Sequence, residues 1–461
     1  MDQSINDLSV IDRAHVFHPS THAAQFARGE IPNRIMTGGK GVYVEDRDGR
    51  RSIDGFAGLY CVNVGYGRHE MATAIYEQAK QLAYYHTYVG HSNDQIIRLS
   101  ERIVRKAGMG MSRVYYGLSG SDANETNIKL VWYYNNVLGR PEKKKIISRR
   151  RGYHGSGLMT GSLTGLPGFQ NHFDLPLGRV LHTGTPHYWR AGKPGETERA
   201  FSRRLADELD ALIRAEGPET VAAFIGEPVL GTGGIVPPPE GYWEEIQKVL
   251  AAHDVLLIAD EVVTAFGRTG EYFGCHTYDI RPDIITIAKG VTSAYLPLSG
   301  SIIGEKVWSV IEEGNDKFGA IGHGWTYSAH PLCAAAANAN LDIVDREDLT
   351  RNARETGAYL QAALHDAFDH NPLVGEVRGV GLLAALQFAA DPDEKTPFDP
   401  ALGVGAKVSA AALEEGLIAR AMPNGDILGF APPLIITRGE IDQLVAMTKR
   451  AVDKVAKDLG R

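Results

Sequence analysis

The chain has 461 residues, and its 48 Lys and Arg against 56 Asp and Glu give a formal net charge of −8 at pH 7. Hydrophobic residues make up 43% and charged residues 23%, which is typical of a soluble globular protein and excludes a wholly disordered or fibrous chain. The acidic balance offers no overall attraction to polyanions, so we expect no nucleic-acid partner.

The sequence carries no membrane or disulfide signal. No stretch approaches the roughly 18 to 20 apolar residues that a membrane span needs, and the first residues form no apolar leader. Three cysteines, Cys61, Cys275 and Cys333, are too few and too widely spaced for a disulfide framework or a metal knuckle. We therefore expect a cytoplasmic protein with no membrane partner and no bound metal.

The first predicted elements are two extended runs over residues 42–46 and 51–54, which flank Asp48-Gly49 and indicate a β-hairpin. From about residue 71 the pattern alternates between helix and strand. The predicted helices cover 71–85, 95–106, 121–138, 200–216 and 243–253, and the predicted strands cover 113–116, 145–148, 221–225, 255–259 and 284–288. Strands separated by helices indicate βαβ units and a largely parallel sheet.

After Pro331 the pattern changes to an alanine-rich helix over 333–341. It continues with predicted helices over 349–368, 404–415 and 440–459, and with strands over 374–378 and 382–388. We expect an α/β fold with a mostly parallel central sheet and helices on both faces. Its large domain would span 66–330, a smaller α+β domain would span 331–461, and the segment 1–65 would add to the small domain.

Ligands of an open parallel sheet bind beyond the carboxyl ends of its strands. The strand over 113–116 is followed by Gly117 and then by small and hydroxyl residues that lead into a helix. The free N–H groups and partial positive charge of a helix N-terminus suit a phosphate group. An ordinary N-capping serine explains the same residues equally well, and both interpretations stay open at this point.

Two further strand ends carry charged residues. Asp260 ends the strand over 255–259, where a carboxylate could cap a helix, bind a metal or pair with a cationic ring nitrogen. Lys289 ends the strand over 284–288; burial there would lower the pKa of its amine and favour the free base that forms a Schiff base. A phosphate cradle, an acid and an amine are the three groups that a pyridoxal phosphate molecule needs.

Six motifs join these features in one order along the chain. They are SGSDAN (119–124), GYHG (152–155), GEPV (226–229), DEVVTAFGRTG (260–270), AKG (288–290) and TYSAHP (326–331). With them the sequence resembles the fold-type I, class III aminotransferases, a group that contains ω-amino acid and amine:pyruvate transaminases. The resemblance implies pyridoxal 5'-phosphate as the cofactor.

The resemblance also implies roles for individual residues. Lys289 would bond covalently to the cofactor and shuttle a proton, and Asp260 would keep the pyridine nitrogen protonated. The other cofactor contacts would be Ser119, Gly120 and Ser121 at the phosphate, Tyr153 and Val262 on the two ring faces, and Glu227 near the ring hydroxyl. Thr326 would reach the cofactor phosphate of a neighbouring subunit, which makes the expected active unit a homodimer or a higher homo-oligomer.

For the substrate, the resemblance implies a mobile arginine that binds a carboxylate. The best match is Arg420, although Gly425 follows it by five residues, a longer stretch than in many relatives. The remaining expected pocket residues are Tyr60, Tyr88, Thr232 and Trp325. We expect a ping-pong transaminase that moves an amino group from an ω-amino acid or primary amine to pyruvate or a similar keto acid.

Other functions share some of these features. A decarboxylase or an aminomutase of the same cofactor class would carry the same motifs. Outside that class, a dinucleotide-dependent oxidoreductase or a non-catalytic binding protein stays open. No Gly-x-Gly-x-x-Gly follows a predicted strand, which disfavours the oxidoreductase.

Overall fold

The structure, a computed structural model, describes residues 7–461 of the chain. Its strands in chain order are β1 Met36–Lys40, β2 Tyr43–Asp46, β3 Arg51–Asp54, β4 Met111–Gly117, β5 Lys145–Arg149, β6 Val180–Thr183, β7 Val221–Gly226, β8 Leu256–Asp260, β9 Ile284–Ile287, β10 Ser299–Gly304, β11 Val374–Val380, β12 Leu383–Phe388, β13 Leu417–Ile418, β14 Arg420–Ala421 and β15 Ile427–Phe430. Its α-helices are α1 Leu8–His15, α2 Ala23–Ala27, α3 Ala57–Tyr60, α4 His69–Gln81, α5 Asp94–Ala107, α6 Gly120–Val137, α7 Leu158–Leu163, α8 Tyr188–Ala191, α9 Glu198–Glu216, α10 Tyr242–Ala252, α11 Gly274–Thr277, α12 Glu305–Phe318, α13 Pro331–Arg346, α14 Leu349–Phe368, α15 Val404–Glu414 and α16 Arg438–Asp458.

The central sheet has seven strands in the order β4-β10-β9-β8-β7-β5-β6. Neighbouring strands from β9 to β6 are parallel, whereas β10 runs antiparallel to both of its neighbours. The mostly parallel sheet is therefore confirmed, with one reversed strand. Neither β6 nor β10 was predicted, because β6 is a short run that contains His182 and Thr183, and β10 mixes serine and glycine with two isoleucines.

Helices cover both faces of this sheet. Every residue of β7, β8 and β9 is buried, as a sheet enclosed on two sides requires. Successive residues point to opposite faces: Leu257 packs with Phe201 and Trp243, and Ile258 packs with Ile128 and Val131. These two layers fix the carboxyl ends of β7, β8 and β9 side by side.

Two smaller sheets bring the chain ends together. The predicted hairpin is present as β2 and β3, and the C-terminal strand β13 pairs in parallel with β3 through Leu417 and Ile53. The other small sheet has the order β11-β12-β15-β14. The pairing of β3 with β13 agrees with an N-terminal segment that adds to the C-terminal region, and the division into 1–65, 66–330 and 331–461 stays a prediction.

Residues 7–461 carry neither a membrane-spanning helix nor a cluster of metal-binding side chains. None of the helices in this part of the chain combines the length and the apolar character needed to cross a bilayer. The same residues contain no group of three or more histidine, cysteine or acidic side chains suited to a metal ion.

Candidate active site

A cavity of about 500 Å³ lies at the carboxyl ends of β7, β8 and β9. That volume is in the range of small-molecule sites. The cavity brings together most of the predicted site residues: Lys289, Asp260, Gly120, Ser121, Tyr153, Glu227, Val262, Tyr60, Thr232 and Arg420.

One residue, Ala288, separates Lys289 from the end of β9, and Lys289 lies in the cavity wall. Burial lowers the pKa of its amine, which favours the neutral form that a nucleophile needs. The Nζ atom lies 5.5 Å from the ring centroid of Tyr60. The backbone of Lys289 has a φ of +46°, a left-handed conformation that is uncommon for residues other than glycine and occurs often at functional sites.

Asp260 ends β8 and is only 3% exposed. Its Oδ2 accepts hydrogen bonds from Nδ2 of Asn124 and from Nδ1 of His154, both at 2.8 Å. Its Oδ1 accepts a hydrogen bond from the backbone N–H of Val262 at 3.2 Å. Three donors thus compensate the charge of a buried carboxylate, which is suited to pair with a protonated ring nitrogen.

The N-terminus of α6 supplies Gly120 and Ser121 to the cavity. A Cβ at position 120 would lie 3.0 Å from Cγ2 of Val262, so glycine lets the helix start approach the Val262 loop closely. Gly120 and Ser121 are the first two residues of α6 and both line the cavity, and the N–H groups at a helix start suit a phosphate.

The Ser119 side chain caps α6. Its Oγ accepts a hydrogen bond from the backbone N–H of Asp122 at 3.2 Å and donates one to Oδ1 of Asp122 at 2.7 Å. The Asp122 side chain in turn accepts the backbone N–H of Ser119, which completes a capping box. The Ser119 side chain is occupied with capping α6 and does not line the cavity, whereas Gly120 and Ser121 do.

Tyr153, Val262 and Glu227 surround the middle of the cavity. The Tyr153 ring packs edge-on against Phe169 with 5.3 Å between centroids. Oε1 of Glu227 accepts the backbone N–H of Gly231 at 3.1 Å, and Oε2 accepts that of Tyr153 at 3.4 Å. Burial raises the pKa of the Glu227 carboxyl, while Nη2 of the buried Arg149 lies 3.8 Å from its Oε2.

Arg420, Tyr60 and Thr232 form another part of the wall. Arg420 belongs to β14, which pairs with β15, and its guanidinium lies 5.6 Å from the ring centroid of Phe56. The extra residues after Arg420 form the turn of this hairpin, where Nη2 of Arg151 donates a hydrogen bond to the Asn424 carbonyl at 3.2 Å. The longer stretch therefore leaves Arg420 in the cavity wall.

Tyr88, Trp325 and Thr326 do not line the cavity of their own chain. Trp325 donates a hydrogen bond from Nε1 to Oγ1 of Thr126 at 3.1 Å, and Thr326 accepts one at its carbonyl from Tyr84. Tyr88 and Trp325 belong to a group of side chains that we call the aromatic surface, consisting of Tyr85, Tyr88, Val89, Trp325 and Tyr327, of which all but the half-buried Trp325 are exposed. Thr326 lies between two of its members in the sequence. The expected contact of Thr326 is with the cofactor phosphate of a neighbouring subunit, so its distance from the cavity of its own chain does not test that expectation.

Sequence reasoning missed several residues of the site. Asn124 and His154 hydrogen-bond to the carboxylate of Asp260. Neither was predicted as a site residue, although Asn124 belongs to the SGSDAN motif and His154 to the GYHG motif. Pro19 and Ser20 reach the cavity wall from the N-terminal region. Their place in these motifs could have identified Asn124 and His154 as site residues. The irregular sequence around Pro19 and Ser20 contained no comparable signal.

The residues of the cavity fit pyridoxal phosphate at each of its functional groups. The α6 N-terminus suits the phosphate, Asp260 the pyridine nitrogen, Lys289 the aldehyde, and Tyr153 and Val262 the ring. This agreement depends on the donor set around Asp260 and on the close approach at Gly120 described above.

Comparisons with known proteins agree with this assignment. Residues 25–452 match the family model described as "Aminotransferase class-III". The chain is 64% identical over 457 residues to the diaminobutyrate–2-oxoglutarate transaminase of Halomonas elongata, across 99% of this chain and 97% of that protein. It is 42% identical over 414 residues to gamma-aminobutyrate transaminase 1, mitochondrial, of Oryza sativa subsp. indica, across 90% of this chain and 80% of that protein.

A solved structure gives the same answer. The omega transaminase from Pseudomonas jessenii in complex with PMP superposes with a TM-score of 0.95 at 43% identity, covering 98% of this chain and 99% of that one. The dinucleotide oxidoreductase and non-catalytic alternatives are thereby set aside. The chain belongs to the class III aminotransferases, fold-type I enzymes that depend on pyridoxal phosphate.

Proposed function

We propose that this aminotransferase moves an amino group from an ω-amino acid or a primary amine to pyruvate or a similar short keto acid by a ping-pong mechanism. The supporting observation is the charge of the cavity wall. Among the described residues that line it, Arg420 is the only arginine or lysine besides Lys289. One free cation matches one substrate carboxylate, while the aromatic Tyr60 beside it suits an apolar amine.

The residues of the cavity would share the work as follows. Bound pyridoxal phosphate supplies an electron sink for the carbon that loses its proton. Lys289 Nζ removes that proton and returns it, and Asp260 holds a proton on the pyridine nitrogen. The N–H groups at Gly120 and Ser121 bind the phosphate, Glu227 binds the ring hydroxyl, and Tyr153 and Val262 enclose the ring and exclude water.

A second acceptor is favoured by the relatives. The Halomonas elongata enzyme is named for diaminobutyrate and 2-oxoglutarate, and the rice enzyme for gamma-aminobutyrate. Both donor names carry an amine remote from a carboxylate, in line with the proposed donor class. The acceptor 2-oxoglutarate has two carboxylates, so it would need a second cation at the cavity.

A two-substrate screen tests the proposal. The holoenzyme is incubated with primary amines, ω-amino acids and diamino acids, each with pyruvate or 2-oxoglutarate, and alanine and glutamate are quantified. We expect alanine from several donors. Glutamate as the faster product would favour the second acceptor, and no alanine from any donor would overturn the first. Carbon dioxide release or isomerised donor would indicate a decarboxylase or an aminomutase.

We also propose that the enzyme is a homodimer or a higher homo-oligomer. Four side chains of the aromatic surface face solvent, among them Val89 at 93% and Tyr327 at 56% exposed, and clustered exposed apolar side chains are typical of contact surfaces. The resemblance implies that Thr326, which adjoins this surface, contacts the cofactor phosphate of a partner subunit. Association through the aromatic surface would bring Thr326 to that site.

A further inference from the structure

His154 is a buried histidine that contacts Asp260 and that the mechanism above does not use. Its side chain is 0% exposed, and its Nδ1 lies 2.8 Å from Oδ2 of Asp260. Its backbone is held on both sides, because its N–H donates to Oγ1 of Thr164 and its carbonyl accepts from Nδ2 of Asn124, both at 2.9 Å. The imidazole therefore has one fixed position against the carboxylate.

The direction of the hydrogen bond follows from the two groups. An ionised carboxylate only accepts, so Nδ1 of His154 carries the proton and donates it. The opposite ring nitrogen, Nε2, is buried and has no partner among the described residues. A Cβ on Gly152 would lie 3.1 Å from Nε2, so the loop backbone closes over this side of the ring. A proton on Nε2 would have no acceptor there, which favours the tautomer that donates to Asp260.

The same contacts determine how Asp260 faces the cavity. Asn124 Nδ2 donates both to the His154 carbonyl and to Oδ2 of Asp260, and Asn124 Oδ1 accepts from Oγ1 of Thr286 at 2.7 Å. Oδ2 thus receives two donors, which is its capacity, whereas Oδ1 receives only the N–H of Val262. Oδ1 keeps one lone pair for a donor in the cavity.

We propose that His154 is a positioning residue, which holds Asp260 with Oδ2 occupied and Oδ1 available to the pyridine nitrogen of the cofactor. This inference rests on the proposed role of Asp260. Without the His154 donor, Oδ2 would have an unfilled acceptor site and the carboxylate could rotate or take up a proton. Either change weakens its bond to the ring nitrogen, whereas the substrate pocket around Arg420 and Tyr60 is left as it is.

The test compares three substitutions at position 154. Asn places an amide N–H where Nδ1 lies, Gln places its amide farther along the side chain, and Leu has no donor. For each purified protein, the dissociation constant of pyridoxal phosphate from the apoenzyme is measured by absorbance titration, and kcat and KM are measured for one donor. Removing a hydrogen bond to a charged group changes an equilibrium by about 10- to 100-fold.

We expect His154→Leu and His154→Gln to raise the dissociation constant by about 10-fold and to lower kcat by about 100-fold, with KM for the donor within about 3-fold of the parent. His154→Asn is expected to stay within about 5-fold of the parent in all three quantities. The control is His253→Leu, which breaks another His–Asp contact, a partly buried one between His253 Nε2 and Asp210 Oδ1 at 2.6 Å, outside the cavity. It should change none of the three quantities.

Two outcomes overturn the inference: parental values for His154→Gln, or losses in His154→Asn as large as those in His154→Gln. The contrast between Asn and Gln decides the question even if the Leu variant does not fold. Asp260→Asn is measured alongside. Parental values for that variant would refute the role of Asp260 itself, whereas its loss combined with an unaffected His154→Gln would refute only the positioning role.

Discussion

Burial favours the uncharged form of two ionisable groups of the cavity. It lowers the pKa of the Lys289 amine and raises the pKa of the Glu227 carboxyl, so both shifts favour the neutral form. Asp260 differs because three donors surround its oxygens. Two carboxyl groups in one cavity thus lie in different environments, Glu227 near Arg149 with its pKa raised by burial and Asp260 within a set of three donors.

Arg420 carries a prediction at the scale of a single residue. Replacing it by alanine removes the proposed partner of the substrate carboxylate. We expect KM for an ω-amino acid donor and for pyruvate to rise by about 10- to 100-fold, because a charge-assisted hydrogen bond is lost. A primary amine without a carboxylate should keep its parental KM as donor when pyruvate is saturating. Equal losses for both kinds of donor would contradict the assignment of Arg420.

The helices and strands show which features a sequence determines locally. The helix α14 has the predicted bounds, because a long stretch with apolar residues at helical spacing is compatible with a helix and not with a strand. The two-residue strand β13 was not predicted, since its pairing with β3 depends on a contact between distant parts of the chain. Asn124 and His154 were missed for the same reason: their bonds to Asp260 form only when three separate elements meet.

The start of α6 gives a prediction at the scale of an element. Ser119 caps the helix, whereas Ser121 lines the cavity. Ser119→Ala should lower the free energy of unfolding of the apoenzyme by about 1 kcal/mol and change the dissociation constant of pyridoxal phosphate by less than about 3-fold. Ser121→Ala should raise that constant by about 10-fold because a phosphate donor is lost.

Denaturant unfolding and absorbance titration of the two variants check this prediction, and each variant is the control of the other. A cofactor affinity that falls more in Ser119→Ala than in Ser121→Ala would return Ser119 to the phosphate site.

Across the whole molecule, charge and apolar surface are distributed unevenly. The chain has a formal net charge of −8, yet the cavity wall presents Lys289 and Arg420 to anionic ligands. Attraction of a phosphate or a keto acid is therefore a local property of the site.

The aromatic surface lies apart from the cavity, and Val89 within it has a φ of +51°, a strained conformation for a β-branched residue. Such strain persists where the surroundings hold it, which agrees with a subunit contact.

Val89→Glu tests the proposed assembly. Val89 is 93% exposed in the single chain, so a charge at this position should be harmless to the fold of a monomer, but it would be buried in an interface. We expect sedimentation velocity to show dissociation of the parental oligomer, together with an about 10-fold weaker affinity for pyridoxal phosphate, because Thr326 would no longer reach the partner's site. Leu402→Glu, at another exposed apolar position, is the control and should stay associated. A variant that keeps the parental sedimentation coefficient would exclude the aromatic surface as the subunit contact, and a parental enzyme that sediments as a monomer would exclude the oligomer itself.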